Sequence, residues 1–139
     1  MHTLLTFVLT VLGGTLVFVL GQLILKMVLE PSADLSKIMA EIKTAVIFYG
    51  NVESCIGDEN LKAEARREFR KLASAIRYKA DTIYLYSFVR SDCFYGFPEK
   101  NDLSTLSCLL IGVSNSIFDP PDNRNEKLDE ICKLLGMNK

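Results

Sequence analysis

The feature that most constrains this chain is a charge-free stretch close to its amino terminus. The 139 residues include 16 basic and 17 acidic side chains, and none of these charges lies within residues 3–25. At about 1.5 Å per residue, a helix over this stretch is long enough to cross a hydrocarbon core of about 30 Å. We therefore predict a single transmembrane helix within residues 1–30.

A cleavable signal peptide and a buried core helix are the alternatives to a membrane span. A signal peptide has a basic region, then an apolar run of about 7–15 residues and a small-residue cleavage site. Here no Lys or Arg precedes Lys26, and residues 26–31 lack a small-x-small pattern. The length and the absence of charge disfavour a buried core helix.

The charges that flank the span predict its orientation. Lys26, Lys37 and Lys43 follow it closely, whereas only His2 and the amino terminus precede it. Because positively charged flanks stay on the cytoplasmic side, we predict a single-pass protein with its amino terminus outside and residues 31–139 in the cytoplasm.

Residues 31–139 have apolar positions spaced i, i+3, i+4 and i+7, which is typical of amphipathic helices. Asn101 or Asp102 is the expected N-cap of a third bundle helix over about 102–117. Asn123 is the expected N-cap of a fourth bundle helix, and Gly136 is the stop signal of that fourth helix. The predicted fold class is all-α, with one N-terminal transmembrane helix followed by a compact cytoplasmic helical bundle of about four helices. The predicted bundle helices cover about 34–48, about 61 as far as 88, 102–117, and a last stretch after residue 123.

The sequence offers little catalytic chemistry. Its only histidine is His2, at the far end of the span, and no glycine-rich phosphate loop occurs. Acidic pairs such as Asp58-Glu59 lie near predicted helix starts, where carboxylates interact favourably with the helix dipole. We therefore predict no enzymatic activity, no catalytic residue, no metal site and no cofactor.

The cysteines predict reduced thiols rather than disulfides. No CxxC pair exists, and Cys108 and Cys132 fall on apolar helical stripes, where buried thiols are common. The four cysteines are Cys55, Cys93, Cys108 and Cys132.

The predicted span has one face of small or hydroxylated residues, which we call the small face. At about 100° per residue, its members fall within an arc of about 100°, and bulky side chains occupy the rest of the helix. Such a face suits helix self-association or, in several copies, a water-lined pore; a plain anchor that tolerates glycine and threonine is the other interpretation. The small face consists of Thr3, Thr6, Thr10, Gly13, Gly14 and Gly21.

The second predicted helix is strongly basic. Residues 61–79 hold seven basic and two acidic side chains, a net charge of 7 − 2 = +5. Arginine and lysine at helical spacing suit phosphate oxygens of a nucleic acid or of anionic lipid headgroups. Pairing with residues 91–139, whose net charge is 5 − 8 = −3, is the alternative. The candidate nucleic-acid or anion-binding residues are Lys62, Arg66, Arg67, Arg70, Lys71 and Arg77.

Tyrosines follow this basic helix. Tyr78, Tyr84 and Tyr86 are expected to stack nucleic-acid bases if their rings are exposed. Aromatic stacking beside phosphate-binding side chains is typical of proteins that bind single strands.

Four short segments carry a resemblance to known proteins: residues 21–26 with Glu30-Pro31, residues 47–51, residues 69–74 and residues 110–116. These segments resemble a group of small bacterial membrane proteins with one span and a helical cytoplasmic domain. More narrowly, the chain resembles the membrane effectors of the Hailong anti-phage defence systems. The similarity covers most of the chain, and none of the segments carries a catalytic mechanism.

The resemblance implies an oligomeric channel in the bacterial inner membrane. A nucleotidyltransferase encoded alongside would make short single-stranded DNA or nucleotide oligomers that hold the channel shut until infection removes them. The expected partners are further copies of the chain, with a tetramer as one candidate, membrane lipid and the oligonucleotide. The small face would line the conduit, and the basic helix is nominated as the binding surface by its charge alone.

The second hypothesis is a bitopic membrane anchor without channel activity. Its helical domain would dock a protein partner, and its arginines would pair with acids or lipid.

Overall fold

The computed structural model describes residues 2–50, 59–84, 86–90, 97–118 and 122–137. Within these ranges the chain forms helices and no strand, which confirms the predicted all-helical class. A π-helical turn joins the first two helices (Leu25–Leu29), and a 3₁₀ turn follows the fifth (Ser116–Phe118). The helices are α1 (His2–Ile24), α2 (Glu30–Tyr49), α3 (Glu59–Thr82), α4 (Tyr86–Val89), α5 (Lys100–Asn115) and α6 (Asp122–Leu134).

One helix in the described part of the chain is long and apolar enough to cross a membrane. It extends from His2 to Tyr49, over 48 residues, and includes α1, the π-helical turn and α2. No residue of α1 is buried against the rest of the chain. An α-helix suits a lipid environment because its backbone polar groups are paired within the segment itself.

The helix continues through Pro31, although the sequence predicts a new helix that begins near residue 34. The backbone N–H of Glu30 bonds to the carbonyl oxygen of Leu25, five residues earlier, which is the π-helical pattern. Pro31 has no N–H to donate to the Met27 carbonyl, and its ring would crowd that oxygen in a regular α-helix. The wider π-helical turn directly before Pro31 therefore accompanies the proline without ending the helix.

Helices α2 and α3 lie antiparallel to each other. At one end the Lys79 ammonium of α3 bonds to the Asp34 carboxylate of α2 at 2.6 Å. At the other end the rings of Tyr49 and Phe69 meet edge to face, with their centroids 6.0 Å apart. Position 34 therefore lies beside position 79, and position 49 lies beside position 69.

Helix α5 packs antiparallel on the other side of α3. Ser107 of α5 donates a hydrogen bond to the carbonyl oxygen of Ala73 in α3 at 2.9 Å. Arg70 of α3 reaches Ser114 near the end of α5. Helix α6 packs in turn against α5. The largest fully buried apolar side chains are Leu35, Ile42, Phe69, Leu72, Ile76, Leu103, Leu106, Leu110, Val113 and Ile131.

Besides the start near residue 34, the predicted end of α3 and the predicted N-caps of α5 and α6 are wrong; α6 begins at Asp122, so Asn123 lies within it. Helix α3 ends at Thr82 instead of near residue 88, because Ile83 and Tyr84 leave the helix before the short α4. The N-cap of α5 is Glu99, not Asn101 or Asp102; the Asp102 carboxylate accepts the Glu99 backbone N–H at 3.2 Å, which forms a capping box. Such boundaries depend on local hydrogen bonds of the backbone and of capping side chains, which apolar periodicity does not specify.

Helix α6 ends at the predicted glycine. Gly136 has a φ of 62°, and the Met137 N–H bonds back to the Cys132 carbonyl, so the predicted glycine stop is correct.

Cys108 and Cys132 are free thiols, but Cys108 is exposed and Cys132 only half-buried, so the prediction that they are buried is wrong. Cys55 and Cys93 lie outside the described residues.

Candidate anion-binding site

Three arginines of α3 converge on one cavity, which we call the basic cavity. It has a volume of about 340 Å³ and is lined by Ala63, Arg66, Arg67, Arg70 and Phe118. Ala63, Arg66 and Arg70 share a face because they are spaced by three and four residues. Phe118 joins them because α5 runs antiparallel to α3 and the 3₁₀ turn after it ends beside Arg66.

Arg66 lies over the aromatic wall of the cavity. Its guanidinium carbon is 5.9 Å from the centroid of the Phe118 ring, which is cation–π distance. Its Nε atom is buried and has no hydrogen-bond partner among the described residues. Because a buried polar donor without an acceptor is costly, this atom favours a ligand oxygen in the cavity.

Arg70 is held in place by neutral groups of α5. Its Nε donates to the Ser114 hydroxyl at 3.3 Å, and its Nη2 donates to the Asn115 side-chain oxygen at 2.9 Å. These contacts orient the guanidinium group without neutralising it, because neither acceptor is a carboxylate. A positive charge that is held and not cancelled suits a phosphate oxygen.

The six predicted binding residues separate into two groups. Arg66, Arg67 and Arg70 line the basic cavity, whereas Lys62, Lys71 and Arg77 do not. The Lys71 ammonium pairs with Glu68 of the same helix at 3.1 Å, and both Lys71 and Arg77 are exposed. Arg77 lies seven residues after Arg70, about 10 Å farther along α3. The prediction from charge alone therefore included basic residues of α3 that lie outside the cavity.

In the described part of the chain, ion pairs use other residues than those of the basic cavity. The two ion pairs described for α3 join Lys71 to Glu68 and Lys79 to Asp34. Neither carboxylate belongs to residues 91–139, the segment that the alternative interpretation invokes.

The tyrosines lie apart from the basic cavity. Tyr86 is buried, and its hydroxyl donates to the Pro98 carbonyl at 2.7 Å. Burial raises the pKa of the Tyr86 phenol to about 12. Tyr78 and Tyr84 are exposed, but Tyr78 is twelve residues, or about 18 Å along the helix, from Arg66. The aromatic ring beside the arginines is therefore Phe118, with 53% of its surface exposed.

Sequence reasoning missed Phe118, Ser114 and Asn115. Phe118 lies one residue beyond the predicted end of the third bundle helix. It meets Arg66, which is 118 − 66 = 52 residues earlier in the sequence, only because α5 pairs with α3. Its position directly before Asp119-Pro120-Pro121 is the sequence signal that marks it as the end of an element.

The small face of α1 is exposed along its length, and Val17 and Ile24 fall within the same arc, so its carboxyl half is not made of small residues alone. The Thr6 and Thr10 hydroxyls donate to the carbonyls of His2 and Thr6 in their own helix, each at 2.9 Å. No atom lies within 4 Å of the space that a side chain would occupy at Gly13, Gly14 or Gly21. This face is therefore open to another helix or to water.

A second cavity lies between α2 and α3, away from the arginines. It has a volume of about 500 Å³, and its charged lining residues are one base, Lys37, and three acids, Glu41, Glu64 and Glu68; Phe48 and Tyr49 also border it. Burial, then the nearby Glu64 carboxylate, raises the pKa of the Tyr49 phenol. Phe48 is 67% exposed at its edge. We call this second cavity the acidic cavity.

No protein family, curated protein or solved structure matches this chain. Among the described residues no cluster of three or more metal-ligating side chains occurs.

Proposed function

We propose that this protein is a homo-oligomeric, single-pass inner-membrane effector whose compact cytoplasmic helical bundle binds a soluble, phosphate-bearing ligand. A short single-stranded DNA or another nucleotide oligomer is the ligand class, and its binding controls a pore formed by several copies of α1. The resemblance to Hailong membrane effectors supports the pore and the partner nucleotidyltransferase. The basic cavity supports the ligand class.

The observation that carries the proposal is the combination of charge and stacking surface in one cavity. Arg66 and Arg70 provide guanidinium groups for phosphate oxygens. The buried Nε–H of Arg66 is a hydrogen-bond donor without an acceptor among the described residues. The exposed ring of Phe118 provides a surface on which a base stacks. A mononucleotide unit needs both groups within a few ångströms of each other.

The position of the basic cavity favours a soluble ligand over a lipid headgroup. Asp34 lies eight residues after Lys26, about 12 Å along the helix. Arg66 lies thirteen residues before Lys79, the partner of Asp34, which adds about 20 Å in the direction away from the span. With α1 in a bilayer, the cavity lies about 30 Å from the end of the span, beyond a headgroup layer of about 5–8 Å.

The test is binding of fluorescently labelled, short single-stranded DNA to the full-length protein in mild detergent. We expect Arg66→Gln and Arg70→Gln each to weaken binding by about tenfold or more, because a hydrogen bond to a charged group contributes about 1.5–3 kcal/mol. Arg77→Gln is the matched control, since it removes an exposed arginine of the same helix outside the cavity. Equal affinities of all three variants and the parent protein would refute the proposed site.

The oligomeric state tests the pore independently. The parent protein should elute as a defined oligomer in mild detergent and conduct ions in planar bilayers. A monomer under these conditions contradicts the channel, whatever the result for DNA binding.

The acidic cavity favours a second candidate function, docking of a protein partner by a membrane-anchored module. Phe48 and Ile47 are each 67% exposed, and Glu41, Glu64 and Glu68 border the adjacent cavity. A basic, apolar segment of another protein fits this combination of side chains. A photo-crosslinking amino acid at position 48 tests it in cells, because an adduct with a different protein supports docking and an adduct only with itself supports the oligomer.

A further inference from the structure

We propose that the helical domain rests directly on the membrane, with Tyr84 seated in the phospholipid headgroup layer. This inference rests on the proposed membrane span. It concerns the end of the domain opposite the basic cavity and invokes a different partner, the lipid surface.

The domain begins without a linker at the end of the span. Val28, within the π-helical turn, is half-buried and packs against the hydrophobic core of the domain. Ser32, one turn later, is fully buried, and its hydroxyl donates to the Val28 carbonyl at 2.5 Å. The domain therefore covers the helix from a point two residues after Lys26. No spacer separates it from the headgroups.

The path of α3 brings its carboxyl end back to the same level. Lys79 lies beside Asp34, so Thr82, three residues farther, lies about 8 Å beyond Lys26. Tyr84 follows two residues later, where the chain has left the helix and Ile83 is buried. A headgroup layer extends about 5–8 Å from the hydrocarbon core, so Tyr84 lies at its depth.

Tyr84 has the properties of an interfacial anchor. Its side chain is 63% exposed although it is large and mostly apolar. Tyrosine is enriched at membrane–water interfaces because its ring prefers the apolar side and its hydroxyl the polar side. Because Tyr78 and Phe48 are just as exposed, it is the position of Tyr84 at the depth of the headgroups that favours lipid contact.

Basic side chains lie at the same end of the domain. Arg90 and Lys100 border a shallow cavity of about 280 Å³, in which Glu99 pairs with Arg90 at 2.8 Å. Lys100 lies over the buried Tyr86 ring, with its ammonium 5.4 Å from the ring centroid. Lys100 lies seven residues before Ser107, about 10 Å along α5, which places it at the end of the domain nearer the span, where lipid phosphates attract basic side chains.

Single tryptophans test this arrangement, because the chain contains no Trp of its own. Four full-length variants, Phe18→Trp, Tyr84→Trp, Tyr78→Trp and Phe118→Trp, are reconstituted into phosphatidylcholine–phosphatidylglycerol vesicles. One set of vesicles contains lipid with a nitroxide on the headgroup, and a second set contains lipid with a nitroxide in the acyl chain. Quenching of the emission reports how close each position lies to each quencher.

We expect the headgroup quencher to remove most of the emission of Tyr84→Trp, less of that of Tyr78→Trp, and almost none of that of Phe118→Trp. The acyl-chain quencher should act on Phe18→Trp. Quenching of Phe18→Trp with Tyr84→Trp as bright as Phe118→Trp would overturn the headgroup contact and leave the span intact. If Phe18→Trp escapes the acyl-chain quencher, the span itself is wrong, and the headgroup contact fails with it.

Discussion

Ser107 of α5 donates a hydrogen bond to the backbone carbonyl of Ala73 in α3, and both residues are almost completely shielded from solvent. The bond joins the two helices that share the largest contact in the domain. It also fixes their register, because Ser107 lies beside Ala73 while Ser114 lies beside Arg70. The same register brings Phe118 to Arg66.

We predict that Ser107→Ala destabilises the domain by about 1 kcal/mol, since one buried hydrogen bond is lost. For a domain of this size the melting temperature should fall by about 4–8 °C. Circular dichroism during heating in detergent measures this change. Ser104→Ala, on the exposed face of the same helix, is the matched control and should melt like the parent protein.

We predict that Phe118→Ala weakens binding of short single-stranded DNA by about tenfold, because stacking contributes about 1–3 kcal/mol per base. Binding of inorganic tripolyphosphate, which has phosphates and no base, should change much less. Fluorescence competition measures both affinities, and Phe118→Trp should retain DNA binding. If Phe118→Ala lowers both affinities equally, the ring positions Arg66 and does not stack on the ligand.

We predict that the domain loses stability between pH 10 and 12 because of Tyr86. In the unfolded chain this phenol ionises near pH 10, whereas in the folded protein its pKa is about 12. Between these values the unfolded state binds fewer protons than the folded state, so the free energy of unfolding falls as the pH rises. Below pH 10 the full stabilisation from Tyr86 is present, and about 2–3 kcal/mol of the free energy of unfolding is lost by pH 12.

Tyr86→Phe should remove the part of this pH dependence that comes from Tyr86, while Tyr49 and Lys79, whose pKa values are also raised, still contribute. At neutral pH the variant should lose about 1 kcal/mol, because the hydrogen bond to the Pro98 carbonyl is gone. Denaturant unfolding at a series of pH values compares the two proteins. Identical slopes between pH 10 and 12 would show that the Tyr86 phenol does not govern alkaline stability.

We predict that Gly14→Leu and Gly21→Leu change the oligomer or its conductance. Both positions have open space beside them, and a leucine there keeps neighbouring helices apart. Thr15→Leu is the control, because Thr15 lies about 150° from the centre of the small face. Size-exclusion chromatography in mild detergent and bilayer recordings are the measurements. An anchor without self-association would tolerate all three substitutions alike.

Hydropathy and periodicity were sufficient for the all-helical class and for the apolar helix at the amino terminus. The charge-free stretch predicts α1, and apolar spacing predicts the buried residues of α2, such as Leu35, Ile38 and Ile42. Gly136 ends α6 as expected, because its positive φ is readily available only to a residue without a Cβ. These features depend on residues close together in sequence.

The basic cavity depends on contacts between distant residues, which a single sequence does not reveal. Net charge nominated Lys71 and Arg77 along with Arg66, because periodicity cannot distinguish an exposed charge from one beside a partner helix. The partner is Phe118, which reaches Arg66 only when α5 and α3 align as Ser107 and Ala73 do. Likewise, the boundary near residue 34 was misplaced, because a π-helical turn has no clear signature in composition.

The helix from His2 to Tyr49 contains no non-helical residue, so α1 continues directly into the helical domain. Its first part carries Gly14, and its second part carries Ile42, which is fully buried in the core of the domain. The π-helical turn and Pro31 lie between them and interrupt the regular α-helical hydrogen bonds, so bending is concentrated there. In the channel that we propose, this turn is the joint through which a movement of α2 would change the direction of the face that carries Gly14.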